Sequence, residues 1–250
     1  MTQGANKPFT QRMQVRSQLS EEDARVLDSI QQGAETRPPN DRLVDARENA
    51  AAFLLMDGWA YTFKVMRDGR RQIVRFLVPG DIANPHGLFE DASAFAVRTL
   101  TPVSVVSLGP EIWPRIAEPN PALARRLAWT LGDETTDAEH VVSLGRRNAY
   151  ERIAHFLVRT WDRLATIGMV NGTHYRLPIK QEHLADYLGL SVVHVSRTLT
   201  QLREDGLARV ERGTAKLDDP SGLMTAGDVR PVMPFPGLDP VNSGRAANVA

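Results

Sequence analysis

The side chains best suited to chemistry fall in the stretch QEHLADYLGLSVVHVSRTLTQLREDG, residues 181–206. Counted from Gln181, leucine occupies positions four, eight and ten, alanine position five, glycine position nine and valine position fifteen. Gly189 can adopt the left-handed conformation of a tight turn, and Ser191 can cap the helix that follows. The spacing predicts a helix-turn-helix. Thr198, at position eighteen, departs from the aliphatic residue of that pattern.

The second predicted helix presents side chains that can read a base edge in a major groove. The guanidinium of Arg197 can donate two parallel hydrogen bonds to guanine O6 and N7. Ser191 and the first amides of the preceding helix, near Gln181, suit phosphate oxygens. The predicted contacts to double-stranded DNA are Gln181, Ser191, Val192, Val193, His194, Ser196, Arg197, Thr200, Arg212 and Lys216.

The elements around this stretch match a winged helix-turn-helix at residues 147–218. NAYERIAHFLVRTWDRLATIG predicts a helix ending at Gly168, HYRLPI a short strand, and LARVERGTAKLD two strands around residues 212–214 that form a wing. From residue 145 to residue 217 basic side chains outnumber acidic ones by 12 to 7, although the whole chain has zero net charge. This context favours DNA binding over a helical hairpin with coincidental spacing.

The N-terminal part of the chain is predominantly β in pattern. WAYTFKVM alternates, RDGR supplies a hairpin turn, RQIVRFLV returns, and more short strands follow PGD. This predicts a small barrel or jelly roll at residues 19–116. A helix in which Ser20 and Asp23 form a capping box comes before its first strand. Residues 1–18 are predicted to be a flexible leader and residues 219–250, rich in proline and glycine, a mobile tail.

Residues 117–146 carry a helical stripe with spacings of three and four. The residues of the stripe that we assign to a dimer contact are Leu123, Leu127, Leu131, Glu134, Ala138 and Val141. The stripe fits a coiled-coil-like seam between two copies of the chain. It fits a helix packed on its own β domain equally well, since a glutamate interrupts it.

Composition and motifs argue against most enzyme classes. The chain has no cysteine, which excludes disulfides, thiolate catalysis, cysteine-bound zinc and cysteine-bound iron–sulfur clusters. Its six histidines lack metal-ligand spacing, so a metal-dependent β-roll enzyme is the weaker alternative. His86 could hold a metal or haem, but an ordinary loop histidine is the favoured interpretation. We expect no catalytic residue, cofactor or metal, no membrane contact and a cytoplasmic location, since no signal or membrane-length apolar segment occurs.

The segment LPIKQEHLADYLGLSVVHVSRTLTQLREDGLARV resembles the DNA-binding segment of the Crp/Fnr family of bacterial transcription regulators, especially its Fnr/FixK branch. The resemblance extends over residues 19–218, strongly in the last third. It implies an α+β fold with an N-terminal β-roll of the cyclic-nucleotide-binding type, a long dimerisation helix and the winged helix-turn-helix. It also implies a homodimer on a palindromic DNA site, and RNA polymerase remains open as a further partner.

Departures from the family pattern bear on sensing and on base readout. Pro85 and Phe95 stand where members that bind cyclic AMP have a glutamate for the ribose and an arginine for the cyclic phosphate, so cyclic AMP is not expected. Val193 replaces the glutamate of Fnr-like members, whereas Ser196 and Arg197 carry over. Val193 cannot accept a hydrogen bond from cytosine N4 but could touch a thymine methyl group.

Control of this regulator is left open by the sequence. An unknown small molecule or haem could act as effector in the β-roll, or the protein could act through its abundance alone. An alternating aromatic face could line an effector pocket or could simply be core. The residues of that face are Trp59, Tyr61, Phe63 and Phe95.

Overall fold

The computed structural model describes residues 7–16, 19–46, 51–88, 93, 95–117, 120–125, 127–128 and 145–236. The fold is α+β, as predicted. The helices with both ends described are α1 (Pro8–Arg16), α2 (Glu21–Ser29), α3 (Ile112–Ala117), α4 (Ala149–Ala165), α5 (Gln181–Leu188), α6 (Val192–Glu204) and α7 (Pro220–Ala226). Residues 121–125 and 127–128 are helical as well. None of the helices in these ranges is long and apolar enough to span a membrane.

The N-terminal domain is a β-roll of two antiparallel four-stranded sheets. One sheet has the order β1-β8-β3-β6 and the other the order β2-β7-β4-β5. The strands are β1 (Glu35–Arg37), β2 (Arg42–Val44), β3 (Ala52–Asp57), β4 (Ala60–Val65), β5 (Arg71–Leu77), β6 (Ile82–Ala83), β7 (Ala96–Thr99) and β8 (Val103–Leu108). The predicted hairpin turn joins β4 to β5, with Gly69 at a φ of 82°.

The predicted flexible leader is wrong for residues 8–16, which form α1. Phe9 and Met13 are buried together with Leu27 of α2 and Leu54 of β3. Helix α2 itself starts at the predicted capping box of Ser20 and Asp23. The side chain of Arg12 is also buried and bonds to Asp81. The helix forms because the outer face of the first sheet is apolar and needs a cover, which the polar sequence of α1 alone does not reveal.

The beginning of the predicted dimer stripe is buried within the chain itself. Leu123 and Leu127 are 1% and 2% exposed and belong to the same cluster as Phe9 and Met13. These two leucines are therefore covered by the β-roll and its helices within one chain. The other four residues of the stripe, Leu131, Glu134, Ala138 and Val141, lie outside the described residues.

The C-terminal domain is formed by α4 to α7 and a small antiparallel sheet of order β11-β12-β10-β9. Its strands are β9 (Val170–Asn171), β10 (His174–Arg176), β11 (Ala208–Glu211) and β12 (Thr214–Leu217). Helix α4 is amphipathic and begins at a capping box between Asn148 and Glu151. Its buried face forms the centre of the domain core.

The predicted mobile tail is wrong for residues 219–236. The side chain of Asp219 caps α7. Gly227 lies so close to α4 that a Cβ atom there would be 2.5 Å from the main-chain nitrogen of His155. The ring of Phe235 then stacks on Trp161 at a centroid distance of 3.8 Å. This segment is ordered because it covers apolar surface of α4, and residues 237–250 lie outside the described part of the chain.

Candidate nucleic-acid interface

The turn between α5 and α6 has the geometry that the sequence predicts. Gly189 ends α5 with φ 65° and ψ 39°, and a Cβ atom built there meets nothing within 4 Å. Glycine is favoured there because of the backbone conformation, since space is not limiting. The Leu190 amide then donates to the Ala185 carbonyl at 3.1 Å, which closes the turn.

The N-terminus of α6 is the positive end of its helix dipole, and no negatively charged side chain of its first turn offsets that charge. The Ser191 hydroxyl accepts a hydrogen bond from the His194 amide at 3.2 Å, as an N-cap should. The first turn contains no acidic side chain. An anion near this end is therefore favoured by the helix dipole and by the free amides.

One face of α6 holds the helix in place. Val195, Thr198 and Leu202 are buried against the core that α4 and α5 share. The Thr198 hydroxyl donates to the His194 carbonyl at 2.9 Å, so the departure from an aliphatic residue leaves no unsatisfied polar group. At the far end, the Tyr150 hydroxyl of α4 donates to the Asp205 carboxylate at 2.7 Å.

The opposite face of α6 is free and carries the predicted readers. All of the predicted readers on this helix are exposed, and they are Val192, Val193, His194, Ser196, Arg197 and Thr200. Four of them recur with spacings of three and four and so share one face of the helix: Val193, Ser196, Arg197 and Thr200. Gln181 and Ser191 are exposed at the starts of the two helices. All eight of these side chains are thus accessible to solvent.

The two basic residues predicted to contact DNA from the wing, Arg212 and Lys216, have different surroundings. Arg212 lies at the tip of the β11–β12 hairpin with φ 49°, and its side chain is exposed. Lys216 is half-buried and pairs with Asp218 at 2.7 Å. Arg209 donates two further hydrogen bonds to Asp218, which with the Lys216 contact lowers the pKa of that carboxyl to about 2. Arg212 is therefore the better placed of the two for phosphate.

Sequence reasoning missed the contacts that attach α5 to the β-roll. Arg71 of β5 donates to the Asp186 carboxylate at 2.8 Å and 2.6 Å, and Gln72 donates to the Asp186 main-chain carbonyl at 2.7 Å. The Phe76 ring lies 5.1 Å from that of Tyr187, between centroids. These residues are more than a hundred positions apart in sequence, so no local pattern could reveal the pairing.

A second missed feature is the buried carboxylate of Asp81. It is 0% exposed and binds arginines from three elements: Arg12 of α1, Arg75 of β5 and Arg163 of α4. The Val78 amide also donates to it at 2.7 Å. Asp81 thereby joins the leader helix, the β-roll and the C-terminal domain.

The aromatic face of β4 is core, and it does not line a pocket within the roll. Trp59, Tyr61 and Phe63 are buried in the cluster that contains the α4 core, on the opposite side of the sheet from Ala60 and the roll interior. Of the residues considered for an effector pocket, these three instead form the contact between domains.

Two of the candidate sensor residues, Pro85 and His86, lie on the 3-10 turn Pro85–Leu88. His86 is exposed on this turn, and Phe95 is half-buried. The described ranges hold no group of three or more His, Asp or Glu side chains placed to bind a metal ion.

Comparison with known proteins decides the family. A family model described as a cyclic nucleotide-binding domain matches residues 35–120, and one described as a Crp-like helix-turn-helix domain matches residues 151–226. The nitrogen fixation regulation protein FixK of Bradyrhizobium diazoefficiens is 34% identical over 168 residues, 67% of this chain and 70% of FixK. The chain belongs to the Crp/Fnr family.

Other Crp/Fnr relatives agree in sequence and structure. The transcriptional activatory protein AadR of Rhodopseudomonas palustris is 32% identical over 186 residues, 73% of this chain and 76% of AadR. The structure of FixK2 from Bradyrhizobium japonicum superposes with a TM-score of 0.67 at 27% identity, covering 78% of this chain and 96% of that one. The resemblance to the Crp/Fnr family, the predicted α+β fold and the predicted function as a DNA-binding transcription regulator are confirmed.

Proposed function

We propose that this Crp/Fnr regulator binds as a homodimer to a palindromic DNA site, with α6 of each copy in the major groove of one half-site. The observation that supports this most directly is the exposed stripe from Val193 to Thr200, next to a capped helix end without acidic neighbours. In this arrangement α5 crosses the backbone, Ser191 and Gln181 meet phosphates, and the two half-sites lie about one helical turn apart.

The dimer contact in this proposal cannot use Leu123 and Leu127 as they stand, because both are already buried in their own chain. It would use the part of the stripe that follows them, together with the exposed residues Pro121, Ala122, Arg125 and Ala128. Contact with RNA polymerase is a further part of the proposal, supported by relatives that are named activators.

The deciding experiment is selection of bound duplexes from a random DNA pool by the purified chain without added ligand. Two inverted half-sites in the enriched sequence would support both the dimer and the absence of an obligatory effector. Enrichment only after addition of a cell extract would favour a small-molecule or haem effector in the β-roll, the part of the chain that the cyclic nucleotide-binding family model matches. No enrichment in either case would contradict the proposal.

Replacing Arg197 with alanine should weaken binding to the selected site by about 1–3 kcal/mol, a loss of about 5- to 150-fold, because a bidentate contact to one guanine disappears. Discrimination should relax at one base pair of each half-site only. Fluorescence anisotropy with a set of single-base variants measures both effects. Arg203→Ala is the matched control, since it removes the same charge from the last turn of the same helix. Equal loss of specificity in both variants would refute the assignment.

Replacing Arg212 with alanine should weaken binding to all sequences alike, because its exposed guanidinium at the wing tip contacts phosphate and carries no base information. The slope of log K against log salt should fall by about one. Titrations of the selected and of a scrambled duplex at several salt concentrations measure this. Arg25→Ala, an exposed arginine on α2, should leave the slope unchanged. A loss confined to the selected duplex would count against phosphate contact.

A further inference from the structure

The first turn of α6 exposes two branched aliphatic side chains where DNA would approach. Val192 is 47% exposed and Val193 is 61% exposed, and they are two of only six large hydrophobic side chains exposed in the described ranges. Val193 is the more exposed of the pair and lies on the same stripe as Arg197. Neither valine is needed by the core, which takes Val195 from the same turn.

In the proposed binding mode, Val193 and Arg197 face different base pairs of the same half-site. Four residues of α-helix rise about 6 Å, and successive base pairs are about 3.4 Å apart, so the two side chains are separated by about two base pairs. A base pair read by Val193 is therefore distinct from the guanine read by Arg197.

Valine can recognise only one group in the major groove. Its side chain has no donor or acceptor, and in a helix it occupies essentially one rotamer, so its methyl groups are already fixed in position. The C5-methyl group of thymine is the apolar group on base edges in the major groove. Opposite any other base edge, Val193 would displace water from donors and acceptors without replacing their hydrogen bonds, which is unfavourable.

We propose that Val193 is a specificity-determining residue that reads the C5-methyl group of a pyrimidine in each half-site. Thymine carries that methyl group, and 5-methylcytosine presents the same group in the same place. The proposal rests on the DNA-binding mode proposed above, because it assumes that α6 enters the major groove. It predicts that cytosine methylation at this position strengthens binding.

The test replaces each thymine of the selected half-site, one at a time, with uracil, which lacks only the methyl group. One position should lose about fourfold in affinity, the equivalent of one buried methyl group, and the others should change less. Val193→Ala, which removes both γ-methyl groups but keeps Cβ, should lower the thymine-to-uracil affinity ratio at that position well below fourfold. The variant should fold normally, because the side chain is exposed and alanine favours a helix more than valine does. Val65→Ala, an exposed valine of the β-roll, is the matched control and should keep the fourfold ratio.

A second arm separates the methyl group from the O4 acceptor of thymine. The same T·A pair is changed to C·G and then to 5-methylcytosine·G. Methylation should recover about fourfold in affinity for the unmodified protein and clearly less for Val193→Ala.

The outcomes distinguish this proposal from the binding mode on which it rests. Equal binding of thymine and uracil at every position, with scrambled DNA still rejected, would overturn methyl reading by Val193 and leave the regulator's DNA recognition intact. No recovery on cytosine methylation would also overturn methyl reading. Equal affinity for selected and scrambled duplexes would instead overturn the binding mode itself.

Discussion

Replacing Asp81 with alanine is expected to lower the free energy of unfolding by about 3–5 kcal/mol, the usual cost of breaking a buried ion pair by removing one partner. The carboxylate is fully buried and is shared by Arg12, Arg75 and Arg163. Its removal leaves three positive charges close together in a poorly solvated place, without the negative charge that binds all of them.

Urea unfolding followed by circular dichroism measures this loss. Asp68→Ala is the matched control, since Asp68 pairs with Arg70 on an exposed hairpin turn. Exposed pairs of this kind contribute about 0–1 kcal/mol. An Asp81→Ala variant as stable as Asp68→Ala would show that the three arginines are satisfied without the carboxylate.

Replacing Phe76 with alanine is expected to cost about 3–5 kcal/mol and to separate the unfolding of the two domains. The ring belongs to β5, yet it packs on Phe156 of α4 at 5.8 Å and on Tyr187 of α5 at 5.1 Å, between centroids. Because one apolar cluster contains both the outer face of β5 and the core of the C-terminal domain, the two should unfold together in the unmodified chain. A cavity at this ring removes contact across the junction.

Differential scanning calorimetry tests this prediction, with one transition expected for the unmodified chain and two for Phe76→Ala. Phe53→Ala is the matched control, because Phe53 is buried within the roll, in the cluster that does not include the C-terminal domain. It should lower the melting temperature and keep a single transition. If both variants gave the same single transition, Phe76 would not couple the domains.

The helix-turn-helix could be predicted because its signals are local. Gly189, Ser191 and the buried leucines of α5 act within a few residues of their own positions, and the structure places each as expected. The wing follows for the same reason, since residues 212 and 213 both adopt positive φ in a tight hairpin turn.

The ordered structure of α1 and of residues 219–236 could not be predicted from local signals. Helix α1 is ordered by burial of Phe9 and Met13 against distant strands, and its sequence shows no long periodic stripe. In the tail, the Asp219–Pro220 start of α7 was a usable signal, but the high proline and glycine content concealed it. The bonds from Arg71 to Asp186 join positions separated by 115 residues, and such contacts are fixed only by the complete fold.

The attachment of the β-roll to α5 has a consequence for how this protein can acquire new targets. Arg71 donates to the Asp186 carboxylate near the end of α5. Gln72 donates to the main-chain carbonyl groups of Asp186 and Tyr187. The exposed stripe of α6 takes no part in these bonds. We therefore expect substitutions at residues 193, 196, 197 and 200 to cost little in folding. If these side chains read the operator as proposed, α6 is a site where its sequence preference can drift in evolution or be replaced by grafting.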